Sequence, residues 1–570
     1  MPFLLISCQS DPNGLVSVRT KRAGLRSQVD ISRGRSLLEG GHLEGVPGGN
    51  PGRRWACFKR RRDPLRCGNQ FRGGVGCVMT LVRGGVNRSR VRAKAPAGSV
   101  ATGERHISGA GRRSRLLLGA ALTVIAVTIV TAGAAVADRL PQLIVFDDPS
   151  GSIATYATRD SVDMVGPFFQ DLGKNGRTCA SCHVPATDWS ITPKEVQARF
   201  VATGGTDPMF RTNDGADAPT ADVSTPMARR AAYSLLLTKA LIRIGLPVPP
   251  NAEFELVAVD DPYHYASSRE LSLYRRTLPA TNLAFLSTVL WDGRSTTPGQ
   301  SLSDDLAAQA DSANRTHAQA DVPLTAAQRR QIAAFEEGIF TAQRRDAEAG
   351  QLDAASADGG PVNLAHQSYY PGINDPFGRN PTGAPFQPQS MTLFGAWAGV
   401  GRESGGETAA ARRTIARGEH IFDTKPITIT GIAGLNDLTH QTSIVGTCTT
   451  CHDTPNVGNH SAALFVNTGV SDAARRTPDL PLYTLHCESG PLAGTTIQTT
   501  DPGRALITGR CADIGEFKVP ILRGLPARPP YFHNGSAATL DAVVDFYDRR
   551  FRIGLASGEG ADLVAFLRSL

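Results

Sequence analysis

Cys448-Thr449-Thr450-Cys451-His452 is the stretch that decides how the chain is organised. The pattern C-x-x-C-H is typical of the attachment site of a c-type haem. Its spacing places both sulfurs on one side of a helical turn, where the two thiols can add to the two vinyl groups of one porphyrin. The adjacent His452 then directs its imidazole at the iron as the proximal ligand.

A second copy of the pattern stands at Cys179-Ala180-Ser181-Cys182-His183. We therefore predict two covalently bound c-type haems, with His183 and His452 as iron ligands. The alternatives are a redox C-x-x-C pair or half of a zinc site. A zinc site would require a second close Cys/His pair, and neither motif has one in the sequence.

The charge of the chain is divided unevenly. The 570 residues carry a formal net charge of +8, yet residues 1–137 hold 23 Lys and Arg against 6 Asp and Glu. The remainder is mildly acidic, with 37 basic against 46 acidic residues. The basic balance therefore comes from the N-terminal part and does not indicate a nucleic-acid partner.

The junction between these two parts has the features of a secretory signal. Arg112, Arg113 and Arg115 precede the apolar stretch 116–130, and Ala135-Val136-Ala137 is an A-x-A cleavage site before Asp138. We predict a signal peptide at 112–137, a non-native or disordered leader at 1–111, and a periplasmic location. An uncleaved membrane anchor is the alternative, although the stretch is short for a spanning helix.

The predicted mature chain contains two cysteines outside the haem motifs, Cys487 and Cys511. In an oxidising compartment these two thiols are expected to form a disulfide. Two unrelated buried thiols are the alternative.

Apolar periodicity predicts helices over much of the mature chain, notably at 192–200, 228–241, 302–310, 325–342, 409–422, 540–547 and 560–570. A short strand is predicted at 253–259, and the segments 345–405, 425–446 and 453–515 are predicted to be mostly irregular. We therefore expect a mainly α fold with long irregular loops. It would comprise two c-type cytochrome domains, 138–400 and 401–570, each holding one covalent haem.

The segments around the two motifs carry further signals. The most specific are W-D-G-R at Trp291–Arg294 and P-Y-F-H-N-G at Pro530–Gly535. The others are Arg275-x-x-x-Pro279-x-x-Asn282, Ile332–Glu336, Thr477–Leu480, Phe517–Arg523 and Thr539–Val544. In this order they resemble the bacterial di-haem cytochrome c peroxidase family, which includes MauG-like proteins. The resemblance covers residues 160–570 and is weak over 184–270 and 345–405.

The resemblance implies a periplasmic enzyme that reduces hydrogen peroxide. The haem on His452 would store and relay an electron, and the haem on His183 would meet peroxide. Trp291 would lie between them as an electron bridge, with ordinary core packing as the alternative. A small cytochrome c or cupredoxin is the expected electron donor, and a homodimer is allowed. A MauG-like oxidase using high-valent iron and a non-enzymatic di-haem electron-transfer protein are the alternative functions.

The acid–base residue of the family is replaced in this sequence. In the peroxidases a Glu follows, by about ten residues, the Gln that ends the helix after W-D-G-R, and it handles protons at the peroxide site. Here that count from Gln309 reaches Gln319, with His317 two residues earlier. Because Gln cannot shuttle a proton and His can, either His317 takes over or peroxide chemistry is impaired. His317 as a distal iron ligand, or as a surface residue, is the alternative.

The remaining expectations concern ligands around the haems. The peroxidases place a methionine ligand of the second haem at the position of Tyr547, and MauG-like proteins use a tyrosine there. We expect Tyr547 to ligate that iron, with His460 or water as the alternative, and His533 to support the same haem. His264 is a weak candidate for the distal side of the first haem. The backbone around Arg528 and Pro530 is a candidate for one calcium ion.

Overall fold

The computed structural model describes residues 139–399 and 405–570, together with the backbone of short strands before residue 79. The predicted signal peptide, 112–137, lies outside the described residues. The chain divides into two compact units, Met1–Ala110 and Gly111–Leu570. The first unit contains antiparallel strands, and its predicted status as a leader stays a prediction. These strands are Leu5–Ser10, Val16–Arg22, Leu25–Ile31, Ser36–Leu38, Gly41–Leu43, Trp55–Phe58, Arg66–Phe71 and Gly74–Val78.

The α-helices of the second unit begin largely where the sequence offers a capping residue. Thr192, Ser301, Thr325 and Thr539 each accept a hydrogen bond from a backbone N–H in the first turn that follows. The helices are α1 Pro193–Thr203, α2 Pro226–Ala232, α3 Ser234–Lys239, α4 Leu302–Thr316, α5 Ala326–Glu337, α6 Gly360–Ala365, α7 Glu407–Thr424, α8 Asn436–Thr439, α9 Ala505–Thr508, α10 Leu540–Phe551 and α11 Glu559–Arg568. No described helix has an apolar stretch long enough to cross a membrane.

The strands of the second unit form small antiparallel sheets. They are β1 Arg139–Asp148, β2 Gly151–Asp163, β3 Leu241–Leu246, β4 Phe254–Asp260, β5 Leu271–Arg276, β6 Ile339–Asp346, β7 Gly350–Gln351, β8 Ile427–Thr430, β9 Ser443–Gly446, β10 Phe465–Val466, β11 Leu482–Cys487, β12 Thr496–Thr499 and β13 Phe517–Lys518. The largest sheet has the order β7-β6-β2-β1, and a three-stranded sheet has the order β4-β11-β12.

The prediction of a mainly α fold is wrong. Of the described chain, 31% is helix and 20% is strand. Several strands pair with partners that are distant in sequence, since β2 pairs with β6 and β4 pairs with β11. Local periodicity contains no information about such partners, so the segment 453–515 was predicted to be irregular.

Residues from both sides of position 400 share one hydrophobic core. Ala349, Leu352 and Met391 pack in the same cluster as Phe422, Phe566 and other residues of α7 and α11. The predicted division into haem domains 138–400 and 401–570 therefore stays a prediction.

The expected disulfide between Cys487 and Cys511 is present. It links the end of β11 to the turn after α9, and both cysteines are buried in a core with Phe254 and Leu271. The bond thus fastens an otherwise loop-rich segment to the sheet formed by β4, β11 and β12.

Candidate functional site: two histidine cavities

The motif Cys448–His452 forms a tight turn. A 3-10 helix spans Cys448–Thr450, and the side chains of Thr447 and Thr450 cap it reciprocally. The backbone N–H of His452 donates to the carbonyl of Cys448 at 3.1 Å. Both cysteines are free thiols and half-buried. The turn therefore presents the two sulfurs and the imidazole together.

The ring of His452 is fixed by its Nδ1 atom, which donates to the carbonyl of Gly458. Gly458 has φ +81°, and a Cβ there would approach Met391 Cε to 2.8 Å, so this position requires glycine. Burial lowers the pKa of His452 to about 4, which keeps the ring neutral. A neutral imidazole oriented through Nδ1 offers Nε2 to a metal.

His452 lines an apolar cavity of about 220 Å³, which we call the His452 cavity. Its lining includes Cys448 and Cys451, the aromatic side chains of Phe422, Phe517 and Tyr547, and aliphatic residues of α10 and α11. Such a lining is expected for a large apolar cofactor.

The first motif repeats this arrangement. The turn Cys179–Ser181 is capped reciprocally by Thr178 and Ser181. His183 Nδ1 donates to the carbonyl of Trp189 at 2.8 Å. Burial lowers the pKa of His183 to about 4. The two motif histidines are therefore held in the same way by unrelated surrounding sequence.

His183 lines a second cavity of about 80 Å³, the His183 cavity. Helices α4 and α5 contribute Leu306, Gln309 and Glu336, and the segment 278–283 lines another side. The guanidinium of Arg523 also lines it, and that side chain is only 1% exposed.

The hydrogen bonding of the Arg523 guanidinium indicates whether a haem would fit the His183 cavity. Its Nε, Nη1 and Nη2 atoms are buried and lack hydrogen-bond partners among the described residues. A buried guanidinium without partners is costly, and a carboxylate group bound in the cavity would satisfy it. The carboxylate-bearing porphyrin of a c-type haem fits this donor, and the Cys–Cys–His turn fits its covalent attachment.

The zinc alternative finds no support in the geometry. Within 139–399 and 405–570, the cluster of three His, Cys, Asp or Glu side chains at ligating distances is Asp375, Asp453 and His460. These side chains form a hydrogen-bond network that reaches the backbone carbonyl of Cys451. Arg379 donates to Asp375 at 2.9 Å, Ser461 N–H donates to Asp453 at 2.6 Å, and His460 Nδ1 donates to the Cys451 carbonyl at 3.1 Å.

The two cavities share a wall formed by five residues, namely Leu278, Lys518, Pro520, Ile521 and Arg528. Trp291 lines the His452 cavity, and its neighbour Leu290 lines the His183 cavity. The indole Nε1 of Trp291 donates to the Arg276 carbonyl at 2.8 Å. Trp291 thus lies at the edge of the shared wall.

The loop that carries Trp291 is held by buried charges. Asp292 is fully buried and accepts hydrogen bonds from Arg275 at 2.6 Å and from Arg294 at 2.9 Å. Gly293 has φ +71°, and a Cβ there would lie 2.4 Å from the ring of Phe465. These contacts give a physical reason for each residue of W-D-G-R.

His533 lines the His452 cavity, and its support of a haem there stays a prediction. Its ring stacks on Phe517 with centroids 3.8 Å apart. Burial lowers its pKa to about 4. Tyr547 lines the same cavity and stacks on Phe551 with centroids 6.0 Å apart. Burial raises the pKa of Tyr547 above its usual range, with the Cys451 and Cys448 thiols adding to that effect.

The residues predicted for proton handling lie elsewhere. His317 is not in the lining of the His183 cavity; its Nδ1 lies 2.5 Å from the buried carboxylate of Asp214, which also pairs with Arg177. Gln319 is exposed and accepts from Asn175 Nδ2 at 3.2 Å. The count from Gln309 assumed that the helix ends there, whereas α4 continues to Thr316 and His317 is its C-terminal cap.

The structure also shows where the other predicted haem ligands and the candidate calcium position lie. His460 does not line the His452 cavity, and His264 is exposed in a loop. At the candidate calcium position, the Arg528 carbonyl accepts from the Arg276 guanidinium at 3.1 Å. The calcium ion stays a prediction.

Sequence reasoning missed Arg523, Lys518 and Glu336 as cavity residues. All three belong to segments quoted for the resemblance, Phe517–Arg523 and Ile332–Glu336. The available signal was a charged residue inside an apolar run, which a buried functional group leaves in a sequence.

Comparison with known proteins supports the resemblance over part of the chain. No protein-family model matches the sequence. A 135-residue stretch is 35% identical to the cytochrome-c peroxidase IdrP2 of Denitromonas iodatirespirans, covering 22% of this chain and 36% of that protein. A 99-residue stretch is 35% identical to the cytochrome c551 peroxidase of Nitrosomonas europaea, covering 15% of this chain and 30% of that protein. The matches thus span about a third of these relatives' length.

Among solved structures, a MauG-like protein associated with microbial copper homeostasis is similar, with a TM-score of 0.33 and 16% identity. That similarity covers 71% of this chain and 85% of the other.

Proposed function

We propose that this relative of the bacterial cytochrome c peroxidases is a periplasmic di-haem oxidoreductase that reduces hydrogen peroxide. The single observation that carries the proposal is the pair of cavities, each containing a motif histidine oriented through Nδ1 and joined by a shared wall. When bound, the haems would supply one-electron redox chemistry and an open iron position for peroxide.

The chain's own residues would position the two haems. Cys179, Cys182 and His183 would hold one, and Cys448, Cys451 and His452 the other. Arg523 would bind a carboxylate of the haem in the His183 cavity, and the apolar lining of both cavities would exclude water. Each hydrogen peroxide would take two electrons and two protons and give two waters.

Electrons would enter at the His452 cavity from a small cytochrome or cupredoxin and pass to the His183 cavity. The supporting geometry is the shared wall, in which Lys518, Pro520 and Ile521 line both cavities, with Trp291 at its edge. Residues that line both cavities would keep the two cofactors close together. The homodimer of the resemblance stays a prediction.

A second candidate, a MauG-like oxidase, is favoured by one observation. Tyr547 lines the His452 cavity at the position where the peroxidases have methionine. Because burial keeps this phenol protonated, only a strong Lewis acid such as ferric iron would draw it into ligation as phenolate. A tyrosinate ligand would lower the reduction potential of that haem and would favour oxidation chemistry over electron storage.

The proposal is tested with the purified, haem-loaded secreted protein. Its intact mass is expected to equal a chain that starts near Asp138 plus two haems. Reduced cytochrome c and a reduced cupredoxin are each mixed with the protein, with and without hydrogen peroxide, and donor oxidation is followed optically. Two donor electrons consumed per peroxide support the peroxidase. Donor oxidation that does not depend on peroxide shows an electron carrier, and peroxide consumption with an organic or protein substrate as electron source shows the oxidase.

A further inference from the structure

Glu336 is the buried acid of the His183 cavity. It lies in the last turn of α5, is 6% exposed and lines the cavity, close enough to Cys179 for its charge to add to the effect of burial in raising the pKa of that thiol. Its Oε2 atom is buried and makes no hydrogen bond with any described residue. A carboxyl oxygen that lacks a partner inside a cavity is available to whatever molecule enters it.

The electrostatic surroundings of Glu336 keep its proton exchangeable. Burial raises its pKa to about 8, and the charge of neighbouring Glu337 contributes in the same direction. The other ionisable groups of the cavity are His183, Asp188, Lys518, Arg523 and Arg528, and the described structure has no ion pair between Glu336 and these or any other side chain. A carboxyl group held this way carries a proton at neutral pH and can release it at modest cost.

Burying an unpaired carboxyl group lowers the stability of the folded protein, and a functional role of Glu336 would explain why the chain has one here. Its neighbour on α4, Gln309, also lines the cavity and offers an amide to orient a small polar molecule. The proton carriers predicted from the sequence lie outside the cavity, because His317 is bonded to Asp214 and Gln319 is exposed. Asp188 also lines the cavity, but its carboxylate is paired with Arg528 at 2.7 Å. Glu336 is thus the carboxylic acid of α4 and α5 that the cavity contacts.

We propose that Glu336 is the acid–base residue of the His183 cavity. The inference rests on the proposed peroxide reduction. Glu336 first releases its own proton to solvent, and the carboxylate then accepts a proton from one oxygen of hydrogen peroxide. It would return that proton to the other oxygen as the O–O bond breaks, so that this second oxygen leaves as water. The two electrons come from the donor protein by way of the haems, and the second water forms with two further protons from solvent.

Two matched substitutions isolate this role. Glu336→Gln keeps the shape of the side chain and one buried oxygen but cannot transfer a proton. Glu255→Gln is the control, because that side chain is exposed on β4 and lies outside both cavities. His317→Ala tests the competing proton carrier. Haem content and melting temperature are measured for each variant, to show that the protein is folded and loaded.

The first readout is peroxide-dependent donor oxidation. Glu336→Gln is expected to lower its rate by about 10²–10⁴-fold, the usual range for general acid–base catalysis, while Glu255→Gln leaves it unchanged. The second readout does not need turnover. Hydrogen cyanide must lose a proton to bind ferric haem, so its binding rate is expected to fall in Glu336→Gln and to lose the pH-dependent limb present in the parent.

The outcomes separate the two claims. If the parent protein does not reduce peroxide, the proposed function fails, and cyanide binding still reports on Glu336. If the parent reduces peroxide and Glu336→Gln keeps the parent's rate and cyanide pH profile, the inference is overturned. A loss confined to His317→Ala overturns it as well.

Discussion

The backbone N–H of Lys518 donates to the carbonyl of Trp291 at 2.9 Å. This bond joins a residue of the wall between the two cavities to the tryptophan that lines the His452 cavity. Lys518 is itself buried, its Nζ donates to the Thr288 carbonyl at 3.2 Å, and burial lowers its pKa to about 7. The wall is therefore ordered by hydrogen bonds that originate in two distant segments of the chain.

Trp291→Phe is expected to slow electron transfer between the two haems. Phenylalanine keeps an aromatic group at the position but has a smaller π system and no Nε1–H. The carbonyl of Arg276 loses its indole donor, so we also expect a loss of stability of about 1–3 kcal/mol. Stopped-flow oxidation of the half-reduced protein by peroxide measures the rate. A variant as fast as the parent would assign Trp291 a packing role only.

Tyr547→Met is expected to raise the reduction potential of the haem on His452 and to shift its spectrum towards His/Met ligation. Tyr547→Phe is the matched control, because it keeps the ring that stacks on Phe551 and removes only the hydroxyl. Potentiometric titration with optical detection reads both variants. Spectra and potentials equal to the parent's in both variants would show that Tyr547 does not ligate.

Glu336→Gln is expected to stabilise the protein increasingly as pH rises. The carboxyl loses its proton near pH 4.5 when unfolded and near pH 8 when folded. Between these values the folded state holds a proton that the unfolded state has released, so the parent loses about 1.4 kcal/mol of stability per pH unit and the variant does not. Denaturant unfolding of parent and variant at pH 5 and pH 8 measures the difference. An equal difference at the two pH values would contradict the buried, unpaired carboxyl.

Removing the disulfide by Cys487→Ser with Cys511→Ser is expected to cost about 3–4 kcal/mol, given a loop of 24 residues in the chain-entropy model. Both haems should remain attached, because the bond lies in the β4-β11-β12 region, away from both cavities. Thermal unfolding with haem quantification checks this. Loss of a haem in the double variant would show that the segment supports a cavity directly.

Features that depend on local spacing could be predicted from the sequence. The helices predicted at 192–200 and 540–547 begin at Pro193 and Leu540, and the predicted disulfide between Cys487 and Cys511 is present. Both motif histidines, Trp291, His533 and Tyr547 line the cavities, and their roles there stay predictions. The parts that sequence reasoning missed depend on tertiary structure. Gln319 was placed at the peroxide site by counting along the chain, but α4 continues and α5 brings Glu336 to the cavity instead. Residues 339–342 of strand β6 were predicted as helix. This strand is stabilised by pairing with β2, which lies far away in sequence, and local periodicity contains no information about that partner.

The central claim is that two haems act together on hydrogen peroxide, and its most direct test is an optical and EPR titration of the purified, loaded protein with peroxide. We predict that the ferric protein has a high-spin fraction belonging to the haem on His183, and that this fraction responds to added peroxide. We further predict that one reducing equivalent placed on the haem on His452 is consumed in the same reaction. Two low-spin haems whose spectra stay unchanged on addition of peroxide would contradict the account.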